Sequence, residues 1–535
     1  MEGALSVLAR PEGDEPKRVV PGPRWVVHPM LLSAAFVLNL ALESQVEVAG
    51  FVRPLGFAVA TAVALTLIGW AIFRNRWDGA LAASITVLLL ISMVPIYRAW
   101  TALATAFGSE AALMVFASAF TALVASPSVV LIRARARGRP VPRPSAAFLN
   151  VFSGVLVTVV ILTYSVPHLP IAMGRLAESQ PTLSVAPPSE PPDIFIVLMD
   201  GYPGSEVLDR RLGIDNAPFL EQLGDMGFEV GVDSRSNYGT TALTFASMFQ
   251  MRYIDEIPEV SPLIGGPGTR RDALRHAANH ASAFAVLRAA GYVIVATAPG
   301  YEHVTLREAA DRYLDHGELV DIERALLSRT WLLDLLTPLT PDILSEALRD
   351  RIVHAFDDLD ALAAEERDHP VFAFIHVPAP HMPLVLNATG EGNGLSARRF
   401  ASEASGIGFG SPEFRAAYAA ELSYLNTRTL QSVEALLASG AGSPPVIVIM
   451  SDHGYTHDLE HASPTDRLGN LFAAFTPGAA DLLGDGITPV NVLPRLFNRY
   501  LGTDYRQSPD RYFLAPTHQD PLMLAEVNAQ DLARE

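Results

Sequence analysis

The stretch Ile194-Phe195-Ile196-Val197-Leu198-Met199-Asp200-Gly201 is six apolar residues closed by an acid and a glycine. Much later, Val446-Ile447-Val448-Ile449-Met450 closes in the same way on Ser451-Asp452-His453-Gly454. Runs this short and β-branched, bounded by Pro and Gly, are the pattern of strands buried on both faces of a parallel sheet. Ligands bind such sheets at the carboxyl ends of the strands. An Asp ending one strand and an Asp-His pair ending another bring two anionic oxygens and an imidazole to one crevice, a donor set suited to a divalent metal. The plain alternative is that each Asp only opens a loop; two such sites with a histidine favour the metal.

Ser236-Asn237-Tyr238-Gly239-Thr240-Thr241-Ala242-Leu243-Thr244-Phe245-Ala246-Ser247-Met248 leads from the strand-like Phe228–Val232 through a Gly turn into an apolar, helix-compatible run. A Thr at that helix start serves either as an N-cap or as a nucleophile, since a metal and a helix N-terminus both favour an alkoxide. The residues by themselves allow both.

Taken together, Asp200-Gly201-Tyr202, Asn237-Tyr238-Gly239-Thr240-Thr241, Ala379-Pro380-His381-Met382-Pro383, Ser451-Asp452-His453-Gly454 and Asn470-Leu471-Phe472-Ala473-Ala474 follow the order seen in sulfatase-like hydrolases and transferases. In this the chain, from about Pro192 to Pro477, resembles the alkaline phosphatase superfamily. The resemblance implies metal ligands at Asp200, Asp452 and His453, and a hydroxyl nucleophile that also touches the metal at Thr241, with Thr240 its neighbouring alternative. It implies a substrate-side role for His381, binding phosphoryl oxygens or protonating the leaving group. His376, ending the strand Val371–Ile375, and Arg467, ahead of the strand Leu471–Phe475, are further candidates for substrate binding; a packed histidine and a structural ion pair are the alternatives.

Two departures narrow the branch. Sulfatases oxidise a Cys or Ser in a Cys/Ser-x-Pro-x-Arg motif, but this chain has no cysteine, and Thr241-Ala242-Leu243-Thr244 lacks the Pro and the Arg. That route to sulfate-ester hydrolysis is excluded. A threonine resembles instead the branch of lipoteichoic acid synthases and phosphoethanolamine transferases. Sulfatases also pair two acids at the first motif, where here Gly201 follows Asp200, implying one cation: manganese, zinc or magnesium.

The remainder points to a membrane. Half the residues are hydrophobic and mean hydropathy is +0.25, with the excess at the front. Five spans are expected at about 27–44, 54–73, 79–97, 111–132 and 147–166, each near the roughly 20 residues a bilayer needs. Arg10, Lys17, Arg18 and Arg24, then Arg74 and Arg76, then Arg133 to Arg143 fall on one side of these spans, with Arg53 and Arg98 on the other. The positive-inside rule then places the N-terminus in the cytoplasm and the C-terminal domain on the periplasmic or extracellular side.

The expected organisation is an α-helical transmembrane domain over 1–174, a Pro/Ser-rich linker over 175–192, and an exported α/β, alkaline-phosphatase-like domain with a mostly parallel sheet over 193–535. Residues 1–175 carry net +6, which leaves −24 for the rest of a chain of net charge −18. So acidic a domain is no partner for nucleic acid, whose phosphates are bound by basic surfaces. The expected function is a metal-dependent phosphotransferase or phosphodiesterase acting with a Thr nucleophile on a phospholipid head group or an envelope glycan. A simple ester hydrolase, or a non-catalytic envelope assembly factor on the same fold, are the alternatives. His457 and His461 are expected on a surface loop, Glu302-His303 facing solvent or the crevice, and Tyr418 to Leu437 as a packed helix.

Overall fold

The computed structural model describes residues 25–44, 48–92, 143–175, 191–266, 270–340, 342–395, 411–439, 443–456, 461–516, 520–528 and 532. Two compact units make up the chain, residues 1–38 with 55–163 and residues 39–54 with 164–535.

The N-terminal part is helical: His28–Ser44, Val48–Phe73, Arg76–Ile91 and Arg143–Arg175. These cover the expected spans at 27–44, 54–73 and 147–166 and most of 79–97; the one at 111–132 lies outside the described residues. By length and composition one segment, Gly50–Phe73, suffices to cross a membrane, while His28–Leu42 and Ala147–Thr163 are apolar but shorter. The helix Val48–Phe73 turns Phe57, Leu67, Ile68, Trp70 and Ile72 outward. A face this apolar is the kind that lipid or a partner surface covers.

The second unit is built on a seven-stranded sheet of order β2-β7-β6-β1-β5-β3-β4. Its strands are β1 (Ile194–Met199), β2 (Glu229–Val230), β3 (Val293–Thr297), β4 (Arg312–Leu314), β5 (Val371–Val377), β6 (Val446–Met450) and β7 (Phe472–Phe475). β1 runs parallel to both β5 and β6, and β3 parallel to β4 and β5. The exception is β7, antiparallel to β6 and β2. Every residue of β1, β5 and β6 is buried.

Because side chains alternate along a strand, β1 divides between two cores. Ile194, Ile196 and Leu198 pack with Leu243, Phe245 and Phe249 of the helix Thr241–Gln250. Phe195, Val197 and Met199 pack with the helices Ile343–Ala364 and Pro412–Ala438, through residues such as Phe356 and Leu425. With both faces covered, only the strand ends stay open, and the carboxyl ends of the three central strands β6, β1 and β5 lie side by side.

Candidate metal centre and active site

β1 delivers Asp200 and β6 delivers Asp452 and His453. The amide of Asp200 donates to the carbonyl of Val377 at the end of β5 (3.0 Å), holding the neighbouring strand end in line. One ligand atom from each of Asp200, Asp452 and His453 lies within 4.8 Å of the others, and all three residues are buried. His453 Nε2 sits 3.6 Å from Asp200 Oδ1 and 3.4 Å from Asp452 Oδ2. Those two carboxylate oxygens are buried and have no hydrogen-bond partner.

The tautomer of His453 completes the case. Its Nδ1 is 2.9 Å from the Gly454 carbonyl, which can only accept, so Nδ1 carries the proton. Its Nε2 faces the two carboxylates. Two carboxylate oxygens and one imidazole nitrogen converging on one buried point are a fitting donor set for a divalent metal. Burial acts to raise the Asp200 carboxyl, but His381, His376 and His453 outweigh it and hold Asp200 well below the ordinary carboxylate range.

The backbone is shaped for this. Gly201 adopts φ +68, and a Cβ there would lie 3.1 Å from His453 Cε1 and 3.7 Å from His381 Cδ2. Gly201 also donates its amide to Asp452 Oδ1 (3.0 Å), fixing one oxygen and leaving Oδ2 for the cluster. Thr244 Oγ1 donates to the Asp452 carbonyl at 2.9 Å, as does Ser236 Oγ. These two hydroxyls tie the helix after the Gly turn to the β6 loop, a role the sequence motif did not reveal.

Thr240 is the N-cap of the helix Thr241–Gln250, yet its side chain makes no capping hydrogen bond. Its Oγ1 is buried and without a partner. Capping therefore does not explain that hydroxyl. A cavity of about 450 Å³ is lined on this side by Asp200, Thr240, Thr241, His381 and His453. His381 comes from the turn after β5, with its ring centroid 6.3 Å from that of His453.

The other two candidates for substrate binding sit elsewhere. His376 faces the core of the helix Thr241–Gln250, 5.1 Å centroid to centroid from Phe245, and its Nε2 is 3.3 Å from Asp200 Oδ2. It supports a metal-side carboxylate from beneath and does not line the cavity. Arg467 is buried, donating from Nη2 to the Ala515 carbonyl at 2.8 Å, and lies behind Gly239. The cavity wall that sequence reading missed is Arg271, Tyr301, Asp321 and Arg329, joined by His303. Desolvation, then the neighbouring Arg271, pushes the pKa of His303 down to about 3. His461 is exposed, and His457 lies outside the described residues.

No known family model matches the chain, and no curated protein does. Among solved structures, the chain is similar to sulfatases and to phosphoethanolamine transferases. One is the integral membrane protein lipooligosaccharide phosphoethanolamine transferase A from Neisseria meningitidis, 12% identical, TM-score 0.39, covering 89% of this chain and 95% of that one. Another is the C-terminal periplasmic domain of EcEptC from Escherichia coli in complex with Zn, 10% identical, TM-score 0.39, covering 61% and 87%. A third is a 2-O GAG sulfatase, 13% identical, TM-score 0.38, covering 61% and 77%. At such scores the likeness assigns no activity to this chain.

Proposed function

We propose that this chain is a membrane-anchored, metal-dependent phosphotransferase or phosphodiesterase, with Thr241 as nucleophile and a phospholipid head group or envelope glycan as substrate. The observation that carries this is the buried triad of Asp200, Asp452 and His453, two of which line a cavity together with Thr240 and Thr241 at a helix start. Asp200, Asp452 and His453 would hold one divalent cation, with Thr241 a fourth ligand. Such a cation, manganese, zinc or magnesium, lowers the pKa of a coordinated alcohol and neutralises charge that builds on phosphoryl oxygens.

The chain's own residues supply the rest. The N-terminus of the helix Thr241–Gln250 favours negative charge at Thr241. Its Oγ would lose its proton to solvent and form a bond to phosphorus as the bond to the leaving oxygen breaks, giving a phospho-threonine. His381, which lines the same cavity, would give that departing oxygen a proton. An acceptor hydroxyl or water then displaces Thr241 in the reverse sense. His376 is a positioning residue that orients Asp200.

The test is donor consumption. Full-length protein in nanodiscs is given labelled phosphatidylglycerol and phosphatidylethanolamine, and the lipids are read by mass spectrometry. Diacylglycerol and a labelled product should appear from one donor and vanish with chelator. Both donors remaining intact with manganese, zinc and magnesium each supplied would overturn the proposal.

A further inference from the structure

The cavity has a second half that the chemistry above leaves unused. Arg271 opens the helix Arg271–Asn279, and Arg329 closes the helix Asp321–Ser328. Both line the cavity, with His303 on the short turn Glu302–Val304. On the helix Asp321–Ser328, Asp321, Ala325 and Arg329 fall four residues apart, so one face presents them all to the cavity. His303 Nδ1 is buried and has no hydrogen-bond partner.

We infer that Arg271, Arg329 and His303 form a second oxyanion subsite, which selects substrates bearing a phosphate or carboxylate beyond the phosphoryl group held at Asp200, Asp452 and His453. This deepens the phosphoryl-transfer reading and rests on it. Apart from Asp200, the charged residues lining the cavity are Arg271, Arg329 and Asp321. Asp321 is already engaged: one oxygen accepts its neighbour's amide, Ile322 N, at 2.8 Å. The cation that bears most strongly on it is Arg324, which is not in the cavity lining. A guanidinium pair repels an ammonium and binds an oxyanion through charge-assisted hydrogen bonds. The unpartnered Nδ1 of His303 is the third polar group on that wall. The volume of about 450 Å³ suits a head group or a single sugar phosphate.

Three phosphates of matched size test the subsite: 3-phosphoglycerate, glycerol 3-phosphate and phosphoethanolamine, which differ in carrying a carboxylate, a hydroxyl or an ammonium. Their affinities are measured by titration calorimetry on the full-length protein with manganese. Binding does not depend on turnover, so this order and the donor-consumption assay fail independently. 3-Phosphoglycerate should bind about tenfold or more tighter than phosphoethanolamine, the scale of one charge-assisted contact. Arg271→Gln with Arg329→Gln should erase that preference while glycerol 3-phosphate still binds, which also reports a folded site. Arg329→Lys should restore part of it. Equal or tighter binding of phosphoethanolamine, or a preference that survives the double substitution, would overturn the subsite.

Discussion

Asp200, Asp452 and His453 were legible as residues because each stands where an apolar run stops, and a run of that kind can only be a buried strand. Arg271 and Arg329 were not. They reach the cavity through packing of helices beside the sheet, and no local pattern distinguishes them from surface arginines. The threonine pair lies between these cases: the motif pointed to the helix start, and the unpartnered Oγ1 of Thr240 shows why the choice between neighbours needs an experiment. Thr241→Ala should abolish turnover while still binding manganese, because three stronger ligands remain. Asp452→Ala should lose metal and turnover together, since an anionic oxygen holds a divalent cation far better than a hydroxyl. Thr240→Ala should be mild; calorimetry and turnover showing the reverse order would move the nucleophile by one residue.

A second residue-scale prediction concerns Glu421, fully buried on the helix Pro412–Ala438. Its Oε2 accepts the amides of Val385 (2.7 Å) and Leu386 (2.9 Å), anchoring the loop after His381, while Oε1 has no partner. Burial pushes this carboxyl up to about 7, only partly offset by the two amides. The folded state therefore holds a proton that the unfolded state has released between about pH 4.5 and about pH 7, and stability falls as pH rises through that window. Glu421→Gln should remove the slope, raising stability over the natural chain at pH 8 by up to about 3 kcal/mol and changing little at pH 5. Parallel melting-temperature profiles across that range would contradict it.

Among elements, β1 and β6 were read to the residue, and the helix Tyr418 to Leu437 was recognised within a longer one, Pro412–Ala438. β5 runs on to Val377, so that His376 is a strand residue. The direction of β7 was not legible, since an apolar run carries no sign of its orientation in a sheet. The loop between β6 and β7 carries the site, and its glycine explains the Ser-Asp-His-Gly pattern. A Cβ at Gly454 would collide with the carbonyl oxygens of Gly469 and Asp466. The contact is backbone to backbone and has no side chain to yield. Gly454→Ala should cost about 1–3 kcal/mol in denaturant unfolding and weaken metal binding as well, because Asp452 and His453 move with it. A substitution that lowers neither would mean the loop relaxes freely.

At the scale of the whole molecule the sequence divides cleanly by charge and hydropathy, while the number of spans does not follow from hydropathy alone. Gly50–Phe73 meets the length for a crossing, and the shorter apolar helices leave the remaining count to experiment. A reporter fused after residue 180 should be exported, and one fused near Arg137 should stay cytoplasmic; the opposite pattern would overturn five spans and the orientation together.

The central claim, phosphoryl transfer through a threonine beside a metal triad, is tested most directly by trapping the intermediate. Full-length protein turning over labelled phosphatidylglycerol is acid-quenched, digested and sequenced by mass spectrometry. A phosphoryl adduct should appear on Thr241 and be absent from Thr241→Ala and from chelated protein. Donor consumption without any adduct on Thr241 or Thr240 would contradict it.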